Sequence, residues 1–261
     1  MKLKVITYNI HKGVVGVRRP QLTIYELRKH LHMLQPDLVF LQEVQGQHEL
    51  NRSRHPNWPS QSQHEFLAGR DDEIEKLLGH ASKQYFSVYG LNAVYPHGHH
   101  GNALMSVYPV LWRMNEDVSD HRLEQRGLLH CQLNTPKGKL HCIVAHFGLW
   151  GRSRKRQADR LIQHVRNHVP DDAPLIVAGD FNDWRRSLDH LLAEGLNATE
   201  VLPNHGSKKR AFSSFPSRLP FLGLDRVFVR GLEIEGASIQ AGAPWKSLSD
   251  HAPLVADLQW P

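Results

Sequence analysis

Six short blocks of the sequence join an apolar, strand-like stretch to polar side chains that could do chemistry. In the block LIVAGDFNDW, the apolar run passes through a glycine into Asp180, Asn182 and Asp183. A carboxylate and an amide on alternate residues at a strand end, beside exposed backbone donors, suit a site that handles phosphate and water. An acid at this place is also a standard helix N-cap, which accepts hydrogen bonds from free backbone amides. For this block taken alone, both interpretations stay open.

The other five blocks place polar groups at the end or the start of an apolar stretch. They are ITYNIH, FLQEV, VAHFG, LDRVFV and LSDHAPL. Their side chains are of the kinds that bind a divalent cation, contact a phosphoryl oxygen or move a proton. The polar residues concerned are Asn9, Glu43, His146, Asp225, Asp250 and His251.

Each of these residues also has a structural interpretation when it is taken singly. Glu43 could be an acid at the solvent-facing end of a strand, and Asn9 could cap a turn. Asp225 could form a salt bridge with Arg226 or end a turn. His146 could be a hydrogen-bonded residue of the core. The order of the blocks and their placement at strand ends are what favour a common site.

In that order and spacing, the blocks resemble the endonuclease/exonuclease/phosphatase superfamily, which includes deoxyribonuclease I, abasic-site endonucleases, neutral sphingomyelinases and inositol polyphosphate phosphatases. The resemblance runs from Tyr8 to Pro253, and its motifs G-D-F-N and S-D-H are each short, so it rests on their combination. It implies an α/β (α+β) fold, namely a four-layer α/β/β/α sandwich of two packed, mainly antiparallel mixed sheets flanked by helices. It also points to the small bacterial metal-dependent hydrolases of the superfamily.

The resemblance implies a metal site at the ends of the early and late strands. Glu43 would be the principal carboxylate ligand, Asp250 would lie near the metal, and Asn9 would be close to the metal or the phosphate. Hard oxygen ligands suit Mg²⁺ or Mn²⁺, with most of the coordination sphere left to water and substrate.

The resemblance also implies catalytic roles. Asp180 and Asn182 would position and deprotonate the attacking water, with the amide donating to the phosphate. His251 would contact the phosphate or transfer a proton, oriented by Asp225. His146 would lie near the leaving group, as in the deoxyribonuclease I and sphingomyelinase branches.

Differences from the abasic-site endonucleases narrow the range of expected substrates. That branch has an acid where this chain has His11, a tyrosine where it has His146 and an asparagine where it has Leu149. We therefore do not expect abasic-site repair. The stretch AFSSFPSRLPFLGLD resembles the loop before the late aspartate in small bacterial members of the superfamily.

Several residues are candidates for substrate binding. The loop YPHGHHGNALMS could line the cleft, or it could be a glycine-rich hairpin with solvated imidazoles. The run RSRKR after VAHFGLWG could be a phosphate-gripping rim with Trp150 and Trp58 as stacking or membrane-interface groups, or a solvated helix face. The candidates are His11, His100, Asn102, Arg154 and Arg156.

Charge agrees with an anionic partner. The net charge is +6 with histidine neutral, and 19 histidines add to it as pH falls. Charge alone does not choose among anionic partners. The resemblance implies a Mg²⁺-dependent phosphoric ester hydrolase of the phosphodiesterase or nuclease type. The alternatives are a phospholipase C-like or sphingomyelinase-like hydrolase of phospholipid head groups, and a non-catalytic phosphate-binding module.

Length and composition predict one domain over residues 1–261, with 40 % hydrophobic residues available for a core. No apolar run is long enough to span a bilayer, and the first strand pattern leaves no room for a secretory signal, so we expect a cytoplasmic protein without an obligate protein partner. Cys131 and Cys142 flank a turn and would face each other across a hairpin. We expect two buried thiols rather than a disulfide.

Hydrophobic patterning predicts alternating strands and helices without an internal repeat. The predicted strands are LKVITYNI, PDLVFLQEV, QYFSVYGL, GNALMSV, LLHCQL, KLHCIVAHF, PLIVAGD, ASIQAG and APLVADLQ. The predicted helices are IYELRKHLHML, EIEKLLGHA, RSRKRQADRLIQHVRNHV and SLDHLLAEG, the last closed by Gly195. ELNRSRHPNWPSQSQHEF has neither period and is predicted to be a long loop. This order predicts two packed sheets with helices outside.

Overall fold

The computed structural model describes residues 1–16, 20–201 and 213–261. The strands are β1 (Lys2–Asn9), β2 (Val14–Val15), β3 (Gln21–Leu22), β4 (Leu38–His48), β5 (Phe86–Tyr95), β6 (Gly98–Ser106), β7 (Val110–Asp117), β8 (Gly127–Thr135), β9 (Gly138–His146), β10 (Leu175–Asp180), β11 (Thr199–Glu200), β12 (Asp225–Arg230), β13 (Glu233–Ile239) and β14 (Leu254–Gln259). The α-helices are α1 (Ile24–Met33), α2 (Glu49–Arg54), α3 (Gln63–Ala68), α4 (Asp72–Leu78), α5 (Gly151–His168) and α6 (Asp189–Leu196).

The first large sheet has the strand order β13-β14-β1-β4-β6-β5. β1 and β4 run parallel, and Asn9, the last residue of β1, pairs with Gln42. β4 continues beyond this point to His48, so Glu43 lies inside the strand and not at its end as the sequence predicted. The other neighbours in this sheet are antiparallel. Residues 38–42 are all buried, as a strand covered on both faces requires. The register therefore brings Glu43 next to the end of β1, where the β4 backbone is irregular and Glu43 has a φ of 54°.

The second large sheet has the strand order β11-β12-β10-β9-β8-β7. β9 and β10 are its parallel pair, and Asp180 pairs with His146. On its other side, Asp180 pairs with Asp225 of the antiparallel strand β12. Three of the polar residues singled out from the sequence thus lie in one row across adjacent strands.

Three apolar clusters separate four layers, which confirms the predicted sandwich of two mainly antiparallel mixed sheets between helices. Side chains of both sheets, such as Val5 and Val144, form the central cluster. A second cluster packs α1 against the first sheet, and a third packs α5 and α6 against the second. The strand ends are therefore held between rigid layers, which suits a site that needs fixed geometry.

Two short helices interrupt the segment predicted to be a long loop, so that prediction was wrong. α2 has no buried residue and thus no apolar period to detect. α3 is six residues long, and its N-terminus carries a capping box in which Ser62 and Glu65 bond each other's backbone. The sequence S-Q-H-E is the signal that was missed.

Gly195 does not end α6, which contradicts the predicted cap. The helix runs on to Leu196, and Asn197 adopts the left-handed conformation beyond it with φ 48°. A Cβ on Gly195 would lie 2.3 Å from Ile162 of α5. The glycine therefore allows two helices to pack closely, while asparagine tolerates the left-handed cap.

Cys131 and Cys142 are cross-strand partners in β8 and β9, and both are free, buried thiols, as predicted. Ala211 and Phe212, which begin the stretch AFSSFPSRLPFLGLD, lie outside the described residues. Within the described part of the chain, none of the helices has the length and apolar character needed to cross a membrane.

Candidate active site

An amide-to-carboxylate hydrogen bond joins the two sheets at the edge where their parallel strands end. Asn9 Nδ2 donates to Asp180 Oδ2 over 3.1 Å, and both side chains are buried. Asn9 Oδ1 accepts from the backbone N–H of His11 at 3.1 Å. Asn9 thus links the end of β1 to the end of β10 and fixes the turn that follows β1.

The Asp180 carboxylate lies between two imidazoles. His251 Nε2 is 3.6 Å from Asp180 Oδ2, and His146 Nε2 is 3.8 Å from the same oxygen. Asp180 Oδ1 accepts a hydrogen bond from the backbone N–H of Asn182 at 2.9 Å. The carboxylate therefore stabilises the loop that follows it and does not act as a helix N-cap. Burial raises the pKa of Asp180 above its ordinary value, and the positive charge of His251 only partly opposes this.

His251 is held as one partner of a buried ion pair. Its Nδ1 lies 2.8 Å from Asp225 Oδ2, and the ring packs against Phe215 at a centroid distance of 5.0 Å. Burial would lower the pKa of His251, but the carboxylates of Asp225 and Asp180 outweigh it and raise that pKa. Asp225 makes no salt bridge with Arg226, which pairs with other acids. The imidazolium is therefore the favoured form of His251 at neutral pH.

His146 has the opposite protonation preference. Burial, reinforced by the positive charge of Arg126, lowers the pKa of His146 well below its ordinary value. Asp180 therefore faces one neutral and one charged imidazole. Two titratable groups whose surroundings push their pKa values apart are the pattern expected of acid and base roles in one site.

A second group of charges surrounds Glu43. Lys12 Nζ lies 3.1 Å from Glu43 Oε2. His11 Nδ1 lies 3.3 Å from Asp250 Oδ1 and 3.9 Å from Glu43 Oε2. Burial raises the pKa of the Glu43 carboxyl, but Lys12, His146 and His11 outweigh it and hold that pKa well below its usual range. Glu43 is therefore a carboxylate at neutral pH.

The donor set around Glu43 fits a divalent cation. Glu43 Oε2 is buried and makes no hydrogen bond of regular geometry, and the Asp250 carboxylate is partly exposed. Among the described residues, no group of three or more His, Cys, Asp or Glu could hold a metal ion by itself. Two carboxylates that leave the remaining positions to water and substrate are the arrangement Mg²⁺ commonly takes.

The backbone at these residues is strained. His11, Lys12, Glu43 and Asn182 all have positive φ, at 46°, 60°, 54° and 50°. The left-handed conformation costs non-glycine residues of order 1 kcal/mol or more each and persists where the surrounding structure enforces it. Four site residues share this unfavourable conformation, which positions their side chains in the site at a cost in local stability.

The remaining substrate-binding candidates from β6 differ in their surroundings. His100 is half-buried, and burial, with the positive charge of Lys12, lowers its pKa to about 4. Asn102 is fully buried and donates from Nδ2 to the carbonyls of Gly127 at 2.8 Å and Val144 at 3.3 Å. Asn102 therefore ties the first sheet to the second, and His100 is the one placed near the charged groups.

Arg154 and Arg156, for which the sequence left open a phosphate-gripping rim or a solvated helix face, differ in their surroundings. Arg154 is buried, donates to the Leu149 carbonyl and lies 4.0 Å from Asp183 Oδ1. Arg156 is exposed and paired with Asp120. The amphipathic period of α5 turns Arg154 toward the interior, and a run of charges in the sequence does not reveal which of them a helix buries.

Sequence reasoning missed two cations of the site. Lys12 contacts Glu43. It directly follows His11 in ITYNIHKG, and this position could have indicated that it belongs to the site. Arg126 donates from Nε to the Phe147 carbonyl at 3.1 Å and lies close enough to influence His146 and His100. Arg126 precedes a strand by one residue and matched no motif used for the prediction.

A buried ion network supports the loop that carries Asn182. Arg226 is fully buried and donates to the Asp183 carbonyl at 2.8 Å, and it pairs with the carboxylates of Asp183 and Asp189. Asp183 also accepts from the Leu188 N–H at 2.8 Å. Arg226, the residue after Asp225 in β12, thus holds Asp183, the residue after Asn182, and couples this strand to the loop.

Replacing Arg226 by leucine should lower the free energy of unfolding by about 3–5 kcal/mol, because it takes the buried guanidinium away from the buried Asp183 carboxylate. The matched control is Arg186→Leu, whose partly exposed side chain pairs with Asp189 and Glu200. That control should lose about 1 kcal/mol or less. Urea unfolding measures both, and equal losses in the two variants would contradict a stabilising role for the buried network.

The sequence profile of the Endonuclease/Exonuclease/phosphatase family matches residues 6–251. The chain therefore belongs to this family, whose members are phosphoric ester hydrolases that generally use divalent metals. It is 40 % identical over 258 residues to the uncharacterized protein YbhP of Escherichia coli (strain K12), and the aligned region covers 98 % of this chain and 95 % of YbhP.

Solved structures with low sequence identity share the fold. An endonuclease/exonuclease/phosphatase from Beutenbergia cavernae DSM 12333 matches 99 % of this chain and 72 % of its own with a TM-score of 0.73 and 20 % identity. TDP2 of D. rerio, complexed with a single-strand DNA product, matches 99 % of both chains with a TM-score of 0.68 and 18 % identity.

Proposed function

We propose that the protein is a Mg²⁺- or Mn²⁺-dependent phosphodiesterase that uses Asp180 to activate water. The observation that carries the proposal is the Asp180 carboxylate, buried between His146 and His251 at 3.8 and 3.6 Å. The family match over residues 6–251 supports treating the chain as one catalytic domain.

Asp180 is suited to remove a proton from water. A general base works best when its pKa lies near the operating pH, and burial moves the pKa of Asp180 in that direction. The Asn182 N–H and the Asn9 amide hold the carboxylate in place. The water would attack phosphorus from the side of Asp180, opposite the departing oxygen.

Cations and donors around Asp180 are suited to stabilise charge on the phosphoryl oxygens. His251 carries positive charge because Asp225 and Asp180 raise its pKa. Lys12 and Arg126 add two cations at the edge of the same cluster. Pre-positioned charges of this kind supply a large share of rate acceleration in phosphoryl and acyl transfer. In this proposal, neutral His146 would contact the leaving group.

Glu43 and Asp250 would hold the metal, with Asn9 beside them. A bound divalent ion would polarise the phosphoryl group and stabilise the departing oxygen. Lys12 and His11 already place positive charge against these carboxylates, so they would reduce the charge repulsion between Glu43 and Asp250 in the metal-free protein.

Metal dependence tests this proposal. Purified protein with Mg²⁺, Mn²⁺ or EDTA would be assayed against bis-p-nitrophenyl phosphate, plasmid DNA, single-stranded RNA and head-group-labelled phospholipids. We expect turnover of at least one diester with metal and its loss in EDTA, because the metal would supply the Lewis acid that polarises the phosphoryl group and stabilises the departing oxygen. Glu43→Gln should require a higher metal concentration for the same rate.

The control is the same panel with Asp180→Asn, which keeps the shape of the side chain but cannot accept a proton from water. Turnover that survives both EDTA and this substitution would show that a contaminant or another site is responsible. No turnover of any member in any metal would favour the non-catalytic phosphate-binding alternative.

A further inference from the structure

The five most exposed large hydrophobic residues of the described chain lie on loops at the active-site edge. Leu123 is 97 % exposed, Leu219 76 %, Trp150 68 %, Leu149 66 % and Phe221 62 %. Trp184, at 49 %, follows the Asn182 loop directly. Large apolar side chains this exposed are costly in water, and clustering of them marks an interaction surface. We call these side chains the apolar rim: Leu123, Leu149, Trp150, Trp184, Leu219 and Phe221.

Hydrogen bonds connect the four loops of the rim to the site and to one another. The Leu149 N–H donates to Glu124 Oε1 at 2.8 Å, which joins loop 119–126 to loop 147–150. Asn182 Nδ2 donates to the Phe147 carbonyl at 2.8 Å, which joins loop 147–150 to loop 181–187.

The fourth loop, 213–224, lies against the closing residues of the site. The Ser217 N–H donates to the Asp250 carbonyl at 2.7 Å, and the Phe215 ring packs on His251. The loops that carry the rim are therefore in contact with one another or with residues of the site.

The same loops carry exposed arginines. Arg122, Arg152, Arg185 and Arg218 are exposed on or directly beside them, and the Arg185 guanidinium lies over the Trp184 ring at 4.6 Å. The acids on these loops are each paired with arginine: Asp120 with Arg156, Glu124 with Arg126 and Asp183 with Arg226. The surface around the rim is therefore positive as well as apolar.

We propose that the apolar rim docks the protein on anionic lipid bilayers and presents the phosphate-ester site to lipid head groups. The docking rests on the surface alone, whereas the choice of head groups as substrate rests on the proposed function. The three leucines of the rim, 66–97 % exposed, favour a lipid bilayer over nucleic acid as the partner. An aliphatic side chain is stabilised among acyl chains but offers no ring on which a nucleobase could stack. Tryptophan beside arginine suits the headgroup boundary.

Vesicle co-sedimentation tests the docking with the full chain. Wild-type protein should sediment with vesicles of phosphatidylcholine and phosphatidylglycerol, and weakly with phosphatidylcholine alone, because both apolar burial and positive charge contribute. The double variant Leu123→Ser/Leu149→Ser should reduce the partition coefficient by about tenfold or more. The matched control, Leu77→Ser/Leu111→Ser, removes two half-exposed leucines from α4 and β7 and should bind as wild type does.

A second readout follows the aromatic side chains. Emission of the wild-type protein should shift to shorter wavelength when anionic vesicles are added, and Trp150→Phe/Trp184→Phe should remove most of that shift. Binding that is equal in the rim variant and the control variant, or absent in the wild type, would overturn the proposal. Rim-dependent binding of single-stranded DNA without vesicle binding would overturn it in favour of nucleic acid.

Turnover of bis-p-nitrophenyl phosphate separates this proposal from the proposed function. The rim variants should hydrolyse this soluble diester at the wild-type rate, since the rim side chains are exposed and are none of the proposed catalytic or metal-binding groups, and should lose activity only on vesicle substrates. Vesicle binding by a protein without diesterase activity would support the docking and refute the function. Diesterase activity without vesicle binding would support the proposed function and refute the docking.

Discussion

Replacing Asp180 by asparagine should reduce kcat by about a hundredfold to ten-thousandfold, because the variant has no group in that position to accept a proton from water. The side chain keeps its size, and its oxygen can still accept from the Asn182 N–H. KM should therefore change much less than kcat. Steady-state kinetics on a diester, with circular dichroism to confirm the fold, measures the effect.

The same substitution should remove a loss of stability that the wild type suffers at neutral and higher pH, although it also removes the acceptor of the Asn9 hydrogen bond. An acid whose pKa is raised by folding binds more protons folded than unfolded, so the wild type loses stability as pH rises from the ordinary carboxyl pKa of about 4 through the raised value. Asparagine removes that loss. The Tm difference between variant and wild type should grow with pH across this window and stay constant above it.

Asp183→Asn is the matched control, because Asp183 is the neighbouring buried acid of the same block. Its carboxylate accepts from the Leu188 N–H at 2.8 Å and pairs with Arg226, so this variant should lose stability and keep its kcat. Equal kcat losses in the two variants, or full activity in Asp180→Asn, would assign the base to another residue.

The residues at strand ends could be predicted because the strand pattern fixes where they lie. Asn9 and Glu43 come together because β1 and β4 are parallel neighbours and Asn9 pairs with Gln42, although β4 continues to His48 and Glu43 is not at its end. The same holds for His146 and Asp180 in the second sheet. The sequence did not determine that the two edges face each other, and the resemblance to a known superfamily supplied that step.

Contacts made by long side chains could not be predicted in this way. Arg154 and Arg156 are two residues apart on one helix, yet one is buried and the other lies in solvent. Lys12 reaches Glu43 because of a left-handed turn that no propensity favours for lysine. Such outcomes depend on the turn of a helix or on tertiary packing, which local patterns do not encode.

Buried histidines show the same limit more clearly. His130 bonds His164 and His141 through its two ring nitrogens, each at 2.9 Å, and His164 bonds Glu116. If each ring carries its proton on Nδ1, every one of these bonds has one donor and one acceptor. The sequence presents these residues as isolated members of three different elements, so only the packing of α5 on the second sheet reveals the chain of bonds.

Asp225→Asn should shift the alkaline limb of the kcat/KM profile to lower pH. Asp225 accepts from His251 Nδ1 at 2.8 Å and is the stronger of the two carboxylate influences that raise the pKa of His251. Without that charge, the imidazolium loses its proton at lower pH, and the charge stabilisation of the phosphoryl oxygens is lost with it. Activity should fall little at mildly acidic pH and most at alkaline pH.

The stability difference between wild type and Asp225→Asn should also depend on pH. A histidine whose pKa is raised by folding contributes stability that is fully present below the ordinary pKa of about 6.5 and is lost as pH rises through the folded-state value. Asp225→Asn should therefore destabilise the protein most at acidic and neutral pH, and the difference from wild type should narrow as pH rises. Titration of the His251 ring by NMR reports the pKa directly, without turnover.

The double variant Asp225→Asn/His251→Ala separates positioning from a general loss of structure. If Asp225 acts through His251, the acid-to-amide change should have almost no further effect on kcat/KM once the imidazole is gone, so the two losses should be strongly non-additive. Additive losses would mean that Asp225 acts independently of His251. An unchanged His251 pKa in the single variant would mean that Asp180 alone sustains the imidazolium, and the positioning role would pass to the base itself.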